Sequence, residues 1–546
     1  MRTTTTTSTL ALLATSAHAA LPHLSIAKRD SNLQTSPLAR GLIRRDGGTV
    51  GTNVFDILAY STGGAYYANV TVGTPPQDQV VILDTGSSDL YFDASTASTC
   101  ETTGPYSCRG GTFNPQNSKT YSIADPAPAF NTSFGDGSTA VGPFGQDVVG
   151  LGDVLISNVQ FGVAQEVNST TGYAIGLMGV GYSENEAVQQ HPYPNMPEVL
   201  RDTGVINSRL YSVFLNDVAE YSGSILFGGI DTTKYTGELA TLNILADINT
   251  GAVDQFVQTV TGLSASISGK TIPLFSGGSP NEQAYTQTDT ALPVLLDTGS
   301  SAWSVPTSYY EKYIAPNFKF VDSQGSCSCS HQNDDTTLTL EFGAKINITV
   351  PIREFVVPIY NATTNQPYPY PGGGEACAFM IVPAQSTGQG FQTLGDAILR
   401  SMYVVFDLDN GQLSLAQAKI NSTDAPNIVT VSAGPSGIAK AVSTSYSAAP
   451  SNTNSIAPEV MNATGSFTVS TAQSTIGSAT GTAAVPADAQ VSGGASGTGS
   501  SSGGSSSSTG SKGAAAGLVV PRSDWSGLWV AGISVAMAVL GAGIVL

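Results

Sequence analysis

Charge is scarce in this chain of 546 residues: Asp, Glu, Lys and Arg together make up 11 % of it. What charge there is leans one way, 40 acidic residues against 21 Lys and Arg, for a formal balance of −19. Such a surface repels a phosphate backbone, which excludes nucleic acid as a partner. An acidic surface short of Lys also suits work in acid, where protonation brings the net charge back towards zero. Histidine is rarer still, at 4 residues. Once a leader is removed only His191 and His331 remain, neither in a catalytic motif, so serine-type and metal-type hydrolysis are disfavoured. Cysteine is sparse and odd in number at 5, which leaves one thiol over from any pairing. Cys100 and Cys108 close a small loop, while Cys377 has two candidate partners, Cys327 and Cys329. The cluster Cys327-x-Cys329-x-His331 lacks a second Cys/His pair at zinc spacing, so neither a metal nor a cofactor is expected.

The ends of the chain read as addresses rather than as fold. Arg2, the short apolar run 10–14 and Ala17-His18-Ala19 have the order of a secretory signal peptide over residues 1–19. The dibasic pairs Lys28-Arg29 and Arg44-Arg45 mark 20–45 as a propeptide, with a mature start near Asp46. At the other end, small residues over 510–517, a spacer over 518–524 and an uncharged tail over 525–546 follow the pattern of a GPI-anchor signal. The attachment residue is assigned to Gly513, and 514–546 would be removed. A tail-anchoring helix is the competing reading, since such a tail is long enough to span a bilayer. With no Lys or Arg after the tail to hold a cytoplasmic end, the anchor signal is favoured. Residues 421–513 are rich in Ser, Thr, Ala and Gly and nearly devoid of aromatics, the composition of a flexible, O-glycosylated stalk. Asn-x-Ser/Thr sequons at Asn69, Asn131, Asn168, Asn347, Asn361, Asn421 and Asn462 agree with passage through the secretory route.

Between these ends the chain is a succession of short, alternating, β-branched runs broken by Gly, Asn, Asp and Pro, as at 66–72, 80–83, 148–154, 224–227, 337–342 and 402–408. A mostly-β fold follows, with short helices expected only around 186–190 and 308–314. Within it one pattern occurs twice. Val-Ile-Leu leads into Asp84-Thr85-Gly86-Ser87-Ser88, and Val-Leu-Leu leads into Asp297-Thr298-Gly299-Ser300-Ser301. Each is followed later by an apolar-apolar-Gly element, Leu177-Met178-Gly179 in one half and Thr393-Leu394-Gly395-Asp396 in the other. Recurrence of the whole order implies two similar lobes, 46–235 and 236–420, related by a pseudo-twofold axis with a cleft between them. Two carboxylates on matching turns are what general acid–base chemistry needs. One is ionised to draw a proton from water, while the other stays protonated to polarise a carbonyl. The chemistry that fits is hydrolysis of a peptide bond.

These residues resemble the pepsin-like aspartic endopeptidases over 64–418. The resemblance rests on the paired Asp-Thr-Gly turns, on Gly395-Asp396-Ala397-Ile398-Leu399-Arg400-Ser401 leading into the strand at 403–407, and on the segment 223–231. With the leader, stalk and anchor signal, the chain looks like the yapsin-type, GPI-linked fungal branch. The resemblance implies a bilobal acid-protease fold and a dyad of Asp84 and Asp297 holding a water. It also implies that Thr85 and Thr298 cross-link the two turns, while Ser87 and Ser300 bond the outer carboxylate oxygens. Gly86 and Gly299 let the turn backbones come close to the carboxylates. Both active turns lie on one chain, so a monomer suffices. The expected partners are protein or peptide substrates and a membrane reached through the lipid.

The family covers its cleft with a hairpin flap, matched here by Phe134-Gly135-Asp136-Gly137. The flap tyrosine of the family is Phe134 in this chain, and the tryptophan after the first active turn is Tyr91. Aromatic contact survives the exchange, but a hydroxyl-to-indole bond does not. A carboxylate at Asp136 would favour Lys or Arg beside the cut, as the yapsin resemblance implies. The competing function is a catalytically silent peptide-binding glycoprotein of the cell surface that uses the same cleft. Loss of either aspartate or either turn glycine would have marked it, and all four are present.

Overall fold

The computed structural model describes residues 48–57, 64–102, 107–124, 129–169, 174–188, 192–220, 222–247, 250–276, 291–343, 346–361, 366–384, 390–446, 455–456 and 467–471. The signal, propeptide, Asn462, Gly513 and the terminal tail lie outside the described residues. Among those described, no helix is long and apolar enough to cross a membrane.

The fold is mostly β and bilobal. Its shared base is a run of antiparallel strands drawn from both halves. In order these are Tyr235–Asn243, Gln412–Ala418, Met402–Asp407, Leu210–Phe214, Ser222–Phe227, Val50–Ile57 and Ala65–Val72. The join between halves is the pairing of Leu210–Phe214 with Met402–Asp407, where Tyr211 lies opposite Phe406 and their rings stack at 5.0 Å. Every residue of both strands is buried, as expected of continuous apolar runs covered on two faces. The expected change of lobe at 235–236 falls at the start of strand Tyr235–Asn243, inside this base rather than in a linker.

Above the base, both lobes contribute to one continuous apolar core. In the first, Phe92, Phe113 and Phe161 meet edge-on or tilted at 5.0–6.5 Å. In the second, strand Thr337–Phe342 alternates half-buried and buried residues, sending Leu338, Leu340 and Phe342 inward as its period-two pattern requires. Trp303, Arg400 and Tyr66 are among the largest side chains fully enclosed. Arg400 is held there by Glu354, which accepts from its Nε at 2.6 Å.

Three expectations need correction. The helix foreseen at 186–190 is absent from 186–188, the part of that stretch among the described residues. A single 3-10 turn occupies Ser183–Asn185 and the α-helix begins later, at Met196–Asp202, with Asn195 and Glu198 forming a capping box. The stalk does not begin at 421. Ile428–Thr430 pairs with Gly229–Asp231, Thr444–Tyr446 pairs with Leu239–Thr241, and Val431 and Ile438 are buried. A few apolar side chains in a polar segment are enough to seat it on the body, which a composition average conceals. Lastly, Cys377 is bonded to Cys329, and Cys327 is a free, buried thiol. Cys327 faces Cys377 across the ladder, but the chain then turns into the 3-10 segment Cys329–Asn333 and brings the Cys329 Cα to 5.0 Å from that of Cys377. The Cys100–Cys108 bond is present.

Candidate active site

Each Asp-Thr-Gly turn ends a buried strand and is clamped by the apolar-apolar-Gly element of its own lobe. Strand Gln77–Asp84 runs parallel to Gly176–Gly179, with Asp84 opposite Gly179. Strand Leu292–Leu296 runs parallel to Gln392–Leu394 in the same way. The clamps are close: a Cβ on Gly179 would lie 2.5 Å from the Ser88 backbone, and one on Gly395 would lie 2.2 Å from the Ser300 carbonyl oxygen. That explains why both elements end in glycine.

The two turns meet head to head. Thr85 Oγ1 donates to the Leu296 carbonyl at 2.8 Å and accepts from the Thr298 amide at 3.0 Å. Thr298 Oγ1 does the same in return, donating to the Leu83 carbonyl at 2.8 Å and accepting from the Thr85 amide at 3.1 Å. Around the carboxylates the symmetry continues. Gly86 N donates to Asp84 Oδ1 at 2.8 Å, and Gly299 N donates to Asp297 Oδ1 at 2.8 Å. Ser87 Oγ donates to Asp84 Oδ2, and Ser300 Oγ donates to Asp297 Oδ2 at 2.6 Å. Asp84 and Asp297 are 6 % and 3 % exposed, and each carboxyl lies against the other's turn: a Cβ on Gly299 would be 2.5 Å from Asp84 Oδ1 and 3.1 Å from Asp297 Oδ1. Burial, and then the charge of Asp84, push Asp297 well above the usual carboxylate range. Two acids this close and this dry share a proton.

Over the turns lies the hairpin of strands Phe130–Ser133 and Thr139–Gly142, with Glu166–Asn168 as its third strand. Gly137 at its tip adopts φ 85°, a conformation glycine takes without strain. Asp136 turns back on its own hairpin, Oδ1 accepting from the Ser138 amide and Oδ2 from the Ser138 hydroxyl, both at 2.8 Å. Tyr91 packs between Phe130 and Phe134 at ring separations of 5.5 and 6.2 Å. Its hydroxyl donates to the Ile175 carbonyl at 3.3 Å. Burial, followed by the nearby Asp93 and Asp136, raises Tyr91 well above the ordinary phenol range.

The structure also reveals a support that the sequence reading passed over. Asp89, just past the first active turn, is buried and accepts from Tyr193 Oη at 2.9 Å and from the Ala187 amide at 2.7 Å. Glu186 in turn accepts from the Tyr193 amide at 2.9 Å. Burial lifts Asp89 to about 6, and it lifts Glu186 well above its usual range with help from the Asp89 charge. The signal is a second acidic residue five positions after Asp84, where the other turn carries Ala302. Of the sequons, Asn131, Asn168, Asn347 and Asn421 are exposed, while Asn69 and Asn361 are half-buried.

Two symmetric carboxyl-bearing turns at the meeting of two β lobes define an aspartic peptidase. The chain belongs to the eukaryotic aspartyl protease family, whose sequence model matches residues 65–418, and it is a hydrolase of peptide bonds. It is 36 % identical over 390 residues to a probable aspartic-type endopeptidase opsB of Aspergillus fumigatus, a match covering 70 % of this chain and 74 % of that one. Yapsin-3 of Saccharomyces cerevisiae is 32 % identical over 367 residues, 65 % of this chain and 66 % of its own. Secreted aspartic protease 8 of Candida albicans is 31 % identical over 381 residues, 69 % of this chain and 80 % of its own. These relatives place the chain in the pepsin-like, yapsin-type fungal branch.

Proposed function

We propose that Asp84 and Asp297 are the catalytic dyad of a secreted acid endopeptidase. The observation that carries this reading is the close approach of their buried carboxyls between two turns locked together by Thr85 and Thr298. The pair shares one proton at rest, the ionised partner serving as the base and the protonated one as the acid. A water bound between them loses a proton to the ionised carboxylate as its oxygen attacks the scissile carbonyl, while the protonated partner donates to the developing oxyanion. Ser87, Ser300 and the two glycine amides hold the carboxylates in plane, so that little reorganisation accompanies the reaction. The assay is hydrolysis of a denatured protein across pH 3 to 7, with and without a statine-type inhibitor. Asp84→Asn and Asp297→Asn should each lower kcat by about 1,000-fold or more, within the usual reach of acid–base groups. Full activity in either variant would remove the dyad.

Asp136 inclines the first specificity pocket towards Lys or Arg. Support comes from its half-buried place on the flap beside Tyr91, where its bonds to Ser138 fix the carboxylate. A peptide library with no enrichment of Lys or Arg beside the cut would end this part of the reading. The protein acts at the outer cell surface or wall on protein substrates, as a glycosylated monomer held by a GPI lipid at Gly513. Cleavage after Arg45 releases the active form.

A further inference from the structure

We propose that the Cys100–Cys108 disulfide is a thiol-exchange site with Asp93 as its proton donor. Asp93 ends the strand Leu90–Asp93 that leaves the first active turn. It is 1 % exposed, and neither of its carboxyl oxygens has a hydrogen-bond partner among the described residues. A buried polar group without a partner is costly and calls for a role. One carboxyl oxygen and the two cysteine sulfurs lie within 4.8 Å of one another. The cysteines themselves are only half-buried, so a reagent has access from one side while the acid sits on the other. Burial lifts Asp93 to about 7, which keeps it protonated in mild acid. A departing thiolate needs a proton under those conditions.

The exchange consumes an external dithiol. One of its thiolates attacks a sulfur of the pair, forming a mixed disulfide and breaking the Cys100–Cys108 bond. The expelled cysteine sulfur takes the proton of Asp93. Asp93 recovers a proton from the second thiol of the reagent, whose sulfur then attacks the mixed disulfide. That closes the reagent into its own disulfide and expels the second cysteine sulfur, which Asp93 protonates in turn, Asp93 then regaining from solvent the proton that the first thiol released on ionising. The protein disulfide gains two electrons and the dithiol loses them. Cys100 itself lies in the turn Ser98–Glu101, where Thr99 Oγ1 donates to the Val167 carbonyl at 2.6 Å. Val167 belongs to the third strand of the flap sheet, so the bond state of the pair is felt at the lid of the cleft.

The Cys329–Cys377 disulfide of the same molecule provides the control. The secreted chain, carrying Cys327→Ala to remove the thiol facing Cys377, is exposed to dithiothreitol at pH 6, quenched by alkylation and mapped by peptide mass spectrometry. Cys100–Cys108 should open faster than Cys329–Cys377 by roughly tenfold or more, a modest return for a placed acid. Asp93→Asn, neutral and near-isosteric with the protonated acid, should abolish that advantage, and Asp93→Glu should restore part of it. Equal rates in the parent overturn the proposal without recourse to any Asp93 variant. An advantage that persists in Asp93→Asn overturns it too, since access alone would then explain the rate.

Discussion

Thr85→Val is the sharpest test of how the two lobes are joined. Valine has nearly the volume and shape of threonine, so the substitution opens no cavity. It removes a hydroxyl that is 2 % exposed as a residue and makes two bonds, to the Leu296 carbonyl and from the Thr298 amide. Both partners are buried and belong to the opposite lobe, with no water to replace the lost hydroxyl. Each buried group left unpaired costs about 1–3 kcal/mol, so the expected loss is roughly 2–6 kcal/mol. Thr85→Ser is the control, because it keeps the hydroxyl and deletes one methyl, worth about 1 kcal/mol.

The measurement is urea unfolding in an Asp297→Asn background, which removes self-digestion without changing the grip. Thr85→Val should lower the midpoint markedly with an unchanged slope, and Thr85→Ser should stay close to the parent. In the active background kcat should follow the same order, since the grip sets the approach of Asp84 to Asp297. A Thr85→Val protein within about 0.5 kcal/mol of the parent, a margin typical of inert substitutions, would refute the claim that these bonds hold the turns together.

Two further outcomes follow from the geometry. In Gly299→Ala the new Cβ would lie 2.5 Å from Asp84 Oδ1, so the carboxylate must move; activity should fall by about 100-fold while circular dichroism stays unchanged, and an active Gly299→Ala enzyme would contradict the packing. Stability should decline as pH rises towards neutrality. Burial lifts Asp93, Glu184 and Asp407 to about 7, and Asp89 and Asp254 to about 6, against about 4 in an unfolded chain. The folded state therefore binds the extra protons, and their contribution is complete below about pH 4 and lost as pH climbs through 6 to 7. Asp409 is lowered by Arg209 and Ser208 and runs the other way, weakening the fold only in strong acid. Melting temperature recorded from pH 4 to 8 should fall across the upper half of that range, less so in Asp407→Asn; a flat profile would reject this account.

The sequence made legible what repeats or alternates. Two identical turns with their glycine-ended clamps pointed to the carboxyls that the fold brings together, and the period-two pattern at 337–342 pointed to a half-covered strand. It concealed what depends on a single distant neighbour. Nothing in Ile428, Val431 or Ile438 says that they meet a groove near Gly229–Asp231, so a segment of stalk-like composition was set outside the fold. The choice of Cys329 over Cys327 turns on where the chain bends, one residue after the ladder ends. Asp89 and Tyr193 are far apart in the chain, and their bond appears only when the loop is folded over the turn.

The same physical cause acts on the dyad and on the scaffold, which ties activity to stability. Desolvation is the largest contribution raising Asp297, and it is also what raises Asp89, Asp93 and Asp407. Asp89 and Asp93 sit on the segment that leaves the first active turn, and Asp407 ends a strand of the base joining the lobes. A protein that must hold one carboxyl protonated for catalysis tolerates others protonated for packing, because acid satisfies both. It follows that moving the working range of this peptidase towards neutral pH needs more than a change at the dyad. Unless the buried scaffold acids are replaced by neutral residues as well, the dyad would be tuned to a pH at which the structure carrying it is already losing its hold.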